Sequence, residues 1–151
     1  MITLRNPVTG EQVATNDPAP YVGWEEVGEG IPLVDLQEAL WERVKAIRDA
    51  NLQTATTTFG TAQTDLQSMV KINGLVSMAM LAQSNSQPYS ETFTMADNSE
   101  VEMTAAQMIQ FGVEVGQRIA AVHARGRDLR AAILAATSAD EIAAIDVEAG
   151  W

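Results

Sequence analysis

The stretch TFTMADNSEVEMTAAQMIQFGVEVGQRIAAVHARGRDLRAAILAA, residues 92–136, decides the fold. Its first part alternates: Phe93, Met95, Val101 and Met103 are apolar, while Thr92, Thr94, Glu100 and Glu102 are polar. Directly opposed residues of an antiparallel pair share a face. Setting Phe93 against Met103 and Met95 against Val101 keeps all four on one face and leaves Asp97-Asn98-Ser99 as the turn. A long helix follows. Thr104 and Gln107 form a capping pattern. Met108, Phe111, Val115, Ile119, Val122, Gly126, Leu129, Ile133 and Ala136 then recur at spacings of 3, 4, 4, 3, 4, 3, 4 and 3. This is a heptad-like apolar stripe. Glycines weaken helix interiors, so Gly126 marks either close packing or a break.

Upstream, a helix is expected over 65–83 from the capping pair Thr64 and Gln67. Its second half is apolar nearly all round, which predicts a central, buried helix. Thr54 to Phe59 is β-branched, ends at Gly60 and reads as a strand. A first helix spans 35–51, with Asp35 as cap and Leu36, Leu40, Val44 and Ile47 on one face. Downstream, Thr137-Ser138 with Asp140 and Glu141 caps a short helix over 139–146. The resulting class is α+β, mostly α. A helical body carries a small antiparallel sheet (strand 54–59 plus the hairpin 92–95/101–103) and one long helix over 104–136.

Residues 1–33 differ in kind and hold four of the five prolines. They read as an extended arm preceding a body over 34–151. Ile2-Thr3-Leu4 and Glu11-Gln12-Val13 form short strands around the turn Asn6 to Gly10. Asn16 to Pro20 is a linker, because proline disfavours helix in the residue before it. Tyr21, Val22 and Trp24 are apolar islands. A two-stranded hairpin is marginal alone, so this arm packs either on its own domain or on another chain.

The chain has 151 residues, no cysteine and a formal net charge of −11. That length suits one domain with a small extension. Without cysteine there are no disulfides and no thiolate metal sites. The acidic balance argues against a nucleic-acid partner and against an acidic membrane surface. No apolar run reaches the roughly 20 residues of a membrane span, and the N-terminal residues lack the apolar core of a secretory signal. No catalytic constellation emerges. His123 is the sole histidine and reads as a solvated helix residue. Asp97-Asn98-Ser99 is turn chemistry, and no calcium loop, phosphate loop or dinucleotide fingerprint is present. The methionines read as core filling, with an adaptable groove as the other use. Arg118, Arg125, Arg127 and Arg130 read as a solvated face, with the acidic arm of a neighbouring copy as their other destination. Neither a catalytic residue, a cofactor nor a metal is expected.

From Trp41 to Trp151 the chain resembles a domain of unknown function, the DUF4376 type, found in bacteriophage tail-fibre and tail-associated proteins. The resemblance rests on Trp41-x-x-Val44-Lys45-x-Ile47-Arg48-Asp49, on Gly60 with Asp65 and Ser68, and on Phe93-Thr94-x-Ala96-Asp97-Asn98. It continues through Thr104-Ala105, Val122-His123-Ala124, Leu129-x-x-x-Ile133-x-Ala135-Ala136-Thr137, Glu141-Ile142 and Gly150-Trp151. It implies a non-enzymatic phage tail structural protein, a tail-fibre or fibre-base adaptor subunit, made in the bacterial host cytoplasm and residing in the virion tail. Other phage tail proteins would be its partners, with Ile2, Leu4, Val13, Tyr21 and Trp24 of the arm as partner-docking residues. The alternative is a tail-fibre assembly chaperone; a small tail-associated hydrolase is the third reading. A homo-oligomer is expected, a trimer by analogy with fibres, although the long-helix stripe can equally pack inside one monomer.

Overall fold

The computed structural model describes residues 2–17, 19–26 and 31–151; Pro18, in the expected linker, lies outside them. The longest element is helix α3, Ala105–Ala135, of 31 residues. Met108, Phe111, Val115, Val122, Gly126, Leu129 and Ile133 are all buried along it, so the heptad-like stripe is its core face. The helix runs unbroken through Gly126. A Cβ there would touch the Arg48 side-chain stem at 3.4 Å. The glycine thus marks no kink, and a methyl group at this position would make ordinary contact with that stem.

Two apolar cores attach to this one helix. The first gathers Met108, Phe111 and Val115 with Phe93, Met95, Met103, Ile72 and Ala79. Phe111 meets Phe93 and Phe59 at ring-centroid distances of 4.9 and 6.3 Å. The second gathers Leu129, Ile133 and Ala136 with Val44, Ile142 and Val147. Helix α1, Leu33–Asn51, belongs to the second core. It begins two residues before the expected position and is preceded by Pro32, with no side-chain cap; Asp35 sits in its first turn instead. Proline is tolerated there because a first-turn N–H needs no intrahelical partner. Gln37 of α1 donates its amide to the carbonyls of Ile133 and Ala136 at 3.0 and 3.1 Å. Those carbonyls are at the end of α3, where the helix itself supplies no donors.

The strands form two small antiparallel pairs in the body. Strand β4, Thr54–Thr57, turns at Thr58-Phe59 and returns as β5, Gly60–Gln63. The expected single strand over 54–59 is thus half of a hairpin. Gly60 has φ +139° and a Cβ would meet Met95 at 3.2 Å, so only glycine fits this corner. Strands β6, Ser90–Thr94, and β7, Glu100–Thr104, make the second pair. Its register sets Phe93 against Val101 and Glu91 against Met103, two residues away from the expected pairing. The loop is Ala96-Asp97-Asn98: Met95 N–H donates to Ser99 O at 2.8 Å, and Asn98 N–H to Met95 O at 3.0 Å. A three-residue loop ends in a left-handed residue, and Asn98, at φ 65°, accepts that conformation better than Ser99 would. A two-residue shift preserves the faces, so Phe93, Met95 and Met103 are buried as the pattern requires. The Ala96 N–H then donates to Thr61 O at 2.8 Å, joining the two hairpins.

Helix α2, Leu66–Ser84, is capped by Asp65 rather than Thr64; the Asp65 carboxylate accepts from Gln67 N and Ser68 N. Helix α4, Ala139–Ala143, is capped by Ser138 and is shorter than expected. The α+β, mostly α class holds.

The arm is a three-stranded antiparallel sheet in the order β2-β1-β3, from β1 (Ile2–Arg5), β2 (Gln12–Thr15) and β3 (Glu25–Glu26). The expected hairpin is present, with Leu4 opposite Val13.

Two glycines and one carboxylate of α3 report on this packing. A Cβ on Gly112 would come within 2.5 Å of Val76 Cγ2, whereas one on Gly116 meets nothing within 4 Å. Gly116→Ala should therefore stabilise the protein by about 0.5–1 kcal/mol through helix propensity. Gly112→Ala should destabilise it by about 1 kcal/mol or more through overpacking; urea denaturation reads both signs. Glu114 accepts hydrogen bonds from Thr58 N–H at 2.7 Å and Gln110 at 2.8 Å. These bonds, the Thr58 amide first, hold its carboxyl below the ordinary 4.5. The folded pKa being depressed, this stabilisation is complete above 4.5 and is lost as pH falls through the lower folded value. Glu114→Gln should lower the melting temperature near neutral pH, and the difference should vanish in acid. A difference independent of pH would show that the carboxylate charge is not its source.

Candidate interaction surfaces

The interior offers no polar chemistry. No buried polar or charged residue occurs among the described residues, nor does any group of three His, Asp or Glu side chains placed to hold a metal ion. Apart from Glu114, the acids with lowered pKa sit in local caps and turns. Ser68 donates its hydroxyl to Asp65, Ser99 donates to Asp97, and Thr137 N–H donates to Glu141. Burial pushes the Tyr89 phenol up; its hydroxyl donates to Leu75 O at 3.2 Å. His123 is exposed on α3. Of the four α3 arginines, three bind the body of their own chain. Arg118 donates to Asn51 at 3.2 Å, Arg125 to the carbonyls of Ala149 and Asp146 at 3.1 and 2.9 Å, and Arg130 lies 4.6 Å over the Trp41 ring. Arg127 and Arg130 are exposed, as a solvated face requires, while Arg118 and Arg125 are half-buried. The Arg125 clasp and the bond from Trp151 Nε1 to Val147 O, at 2.7 Å, tie the last residues to the body.

What remains are surfaces. In the arm, the expected docking residues divide. Leu4 is buried and Val13 half-buried, facing each other across β1 and β2. Tyr21 and Trp24 stack edge-on at 5.0 Å and are half-buried. The Ile2 side chain lies outside the described residues. These side chains meet one another within the arm, and among the described residues the arm's most exposed large apolar residues are Val8 and Val22, each 91% exposed. Val8 sits singly among turn residues, and Val22 lies beside Tyr21 and Trp24 with nothing in the sequence to show that it alone of the three points outward. Leu33, which opens α1, packs against the second core, whereas no described residue of the arm's sheet, residues 2–26, enters either core.

In the body, helix α2 departs most from expectation. Only Ile72 and Ala79 are buried on it, and Leu66, Val70, Met78, Met80 and Leu81 are exposed. The expected central, buried helix is a surface helix with an apolar outer face. Two open clefts add to this surface. One, of about 610 Å³, runs between α1 and α4 past Leu36, Leu40, Ile142 and Ile145. The other, of about 280 Å³, lies beside Trp41, Arg130 and Leu134. Nearly all of the α3 stripe is buried within this chain, most of it in the two cores. No helix among the described residues is long and apolar enough to cross a membrane.

No curated protein and no solved structure gives a significant match to this chain. A family model does: the domain of unknown function DUF4376 matches residues 35–149, which spans both cores, all four helices but the first two residues of α1, and both body hairpins. The chain therefore belongs to the DUF4376 family.

Proposed function

We propose that the protein is a non-enzymatic bacteriophage tail structural subunit, a tail-fibre or fibre-base adaptor that docks on other tail proteins through its N-terminal arm. One observation carries the adaptor layout. The arm folds into its own three-stranded sheet that lies ahead of the family-matched stretch, and no described residue of that sheet contributes to either core of the body. A sheet whose described side chains are largely satisfied within itself, yet which presents Val8 and Val22 at its turns, has the form of a module used for contact. The tail setting rests on the resemblance set out from the sequence. An apolar outer face on α2 also suits a protein that works by binding, as would a fibre-assembly chaperone released before maturation.

Mass spectrometry of purified particles separates these readings: a tail subunit is retained in mature virions, whereas absence from them removes the structural role. Val8→Glu combined with Val22→Glu changes two fully exposed positions. It should leave the far-ultraviolet circular dichroism and melting temperature unchanged and reduce incorporation into particles at least about tenfold, the loss expected when an apolar contact worth roughly 1.4 kcal/mol is removed. Undiminished incorporation would overturn docking through the arm.

A further inference from the structure

Lys71 is the only charged residue among the 19 of helix α2. Most other cations of the body are engaged. Arg43 meets Glu148, Lys45 meets Glu42 and Arg48 meets Asp49, while Arg118 and Arg125 donate to an amide and to carbonyls. Lys71 is exposed, and its ammonium lies over the ring of buried Phe93, 5.1 Å from the centroid. Among the described residues no carboxylate or carbonyl is bonded to it. It opens on a cleft of about 200 Å³ that Gln63, Thr94 and Asn98 also line. Strand β5, helix α2 and the β6–β7 hairpin supply the walls, and the bond from Ala96 N–H to Thr61 O holds the two hairpins together there. The side-chain amides of Gln63 and Asn98 make no hydrogen bond among the described residues. Each amide offers two N–H donors. The left-handed backbone of Asn98, at φ 65°, would suit glycine as well, so the turn does not itself require that amide. No carboxylate lines the cleft among the described residues. The acids nearest in sequence are occupied with their own turns: Asp65 accepts from Ser68 and Gln67, and Asp97 from Ser99.

We propose that this cleft binds a single carboxylate group. The Lys71 ammonium supplies the charge, and the amides of Gln63 and Asn98 donate the flanking hydrogen bonds. The Phe93 ring beneath the ammonium keeps water from one side of it, which strengthens its attraction for an anion. One cation with neutral donors balances a monoanion. A phosphate, near about −2, would leave excess negative charge in a chain already at net −11. At roughly 30 Å³ per water, the cleft has room for a carboxylate on a short carbon stem. A small free acid and the acidic side chain of a partner share that chemistry. Exposed charge pairs are weak, so the dissociation constant is on the order of 10 mM.

Heteronuclear NMR of the full chain tests this. Acetate, a glutamate blocked at both backbone ends, or inorganic phosphate is added to about 100 mM, with ionic strength held constant by chloride. Acetate and the blocked glutamate should give saturable shifts at Lys71, Gln63 and Asn98, at lower concentration than phosphate. Tighter binding of acetate assigns the cleft to free small acids; tighter binding of the blocked glutamate assigns it to an acidic side chain. Lys71→Gln should weaken binding at least about tenfold and Asn98→Gly about threefold, the losses expected for a charged and a neutral hydrogen bond. Lys71→Arg should retain it. Both positions are exposed, and the same spectra report that the variants are folded. Absence of saturable shifts at the cleft overturns the proposal. So do shifts that Lys71→Gln leaves unchanged, and so does phosphate as the tightest of the three.

Discussion

The burial of one stripe along α3 is the constraint on which the rest of the structure depends. Thirty-one residues in a single helix extend ~46 Å, longer than a domain of this size needs for one core. The stripe therefore supports two. Its first half, Met108 to Val115, is covered by α2 and the hairpins; its last part, Leu129 to Ala136, by α1 and α4. Glycines at two points set how closely neighbours approach. Gly112 admits Val76 of α2, and Gly126 admits the stem of Arg48 from α1. Each costs helix propensity of about 1 kcal/mol against alanine; at Gly112 a methyl group would obstruct the contact, whereas at Gly126 it would lie in ordinary contact with the Arg48 stem. Gln37 then seals the helix end that packing leaves with bare carbonyls.

Much of this was legible because periodicity constrains a helix along its whole length. The stripe from Met108 to Ala136 could be read position by position, and nearly all of its residues are buried. The hairpin was legible as to faces but not as to register. Alternation fixes parity, and a shift of two residues leaves parity intact. The deciding information was the left-handed residue of the loop, Asn98, which a polar run such as Asp97-Asn98-Ser99 does not single out. Strand β5 was missed because Gly60-Thr61-Ala62-Gln63 is short and carries no large side chain. Its order comes from Ala96 N–H bonding Thr61 O and from Met95 lying against Gly60, both contributions from a distant hairpin.

The surfaces were less legible than the fold, for a related reason. Composition tells how apolar an element is and not how many of its sides have a neighbour. Helix α2 is apolar on nearly every side, which in a larger protein means burial. In this chain only α3 and the hairpins are available to cover it, and they reach the face of Ile72 and Ala79. Some arginines of α3, Arg118 and Arg125 above all, depart from the expectation in the opposite direction. A basic residue on a polar helix face looks solvated in sequence, yet Trp41, Asn51 and the carbonyls of Asp146 and Ala149 are brought to Arg130, Arg118 and Arg125 by tertiary structure. The arm repeats the lesson, since Tyr21 and Trp24, apolar islands in sequence, satisfy each other.

An exposed leucine alone carries no message, because more than half of any folded surface is apolar. Contiguity is what distinguishes α2. Its five exposed large apolar residues, from Leu66 to Leu81, lie on one helix with a single charge, while α1 mixes Arg43, Lys45, Arg48, Glu42 and Asp49 into its outer faces. The arm and α2 also occupy different parts of the chain: the arm precedes the family-matched residues and α2 lies within them. A contact made by α2 would accordingly be a property of the shared domain, and a contact made by the arm a property of what precedes it in this chain. The two surfaces can thus serve different partners without competing for residues, which is the arrangement an adaptor requires.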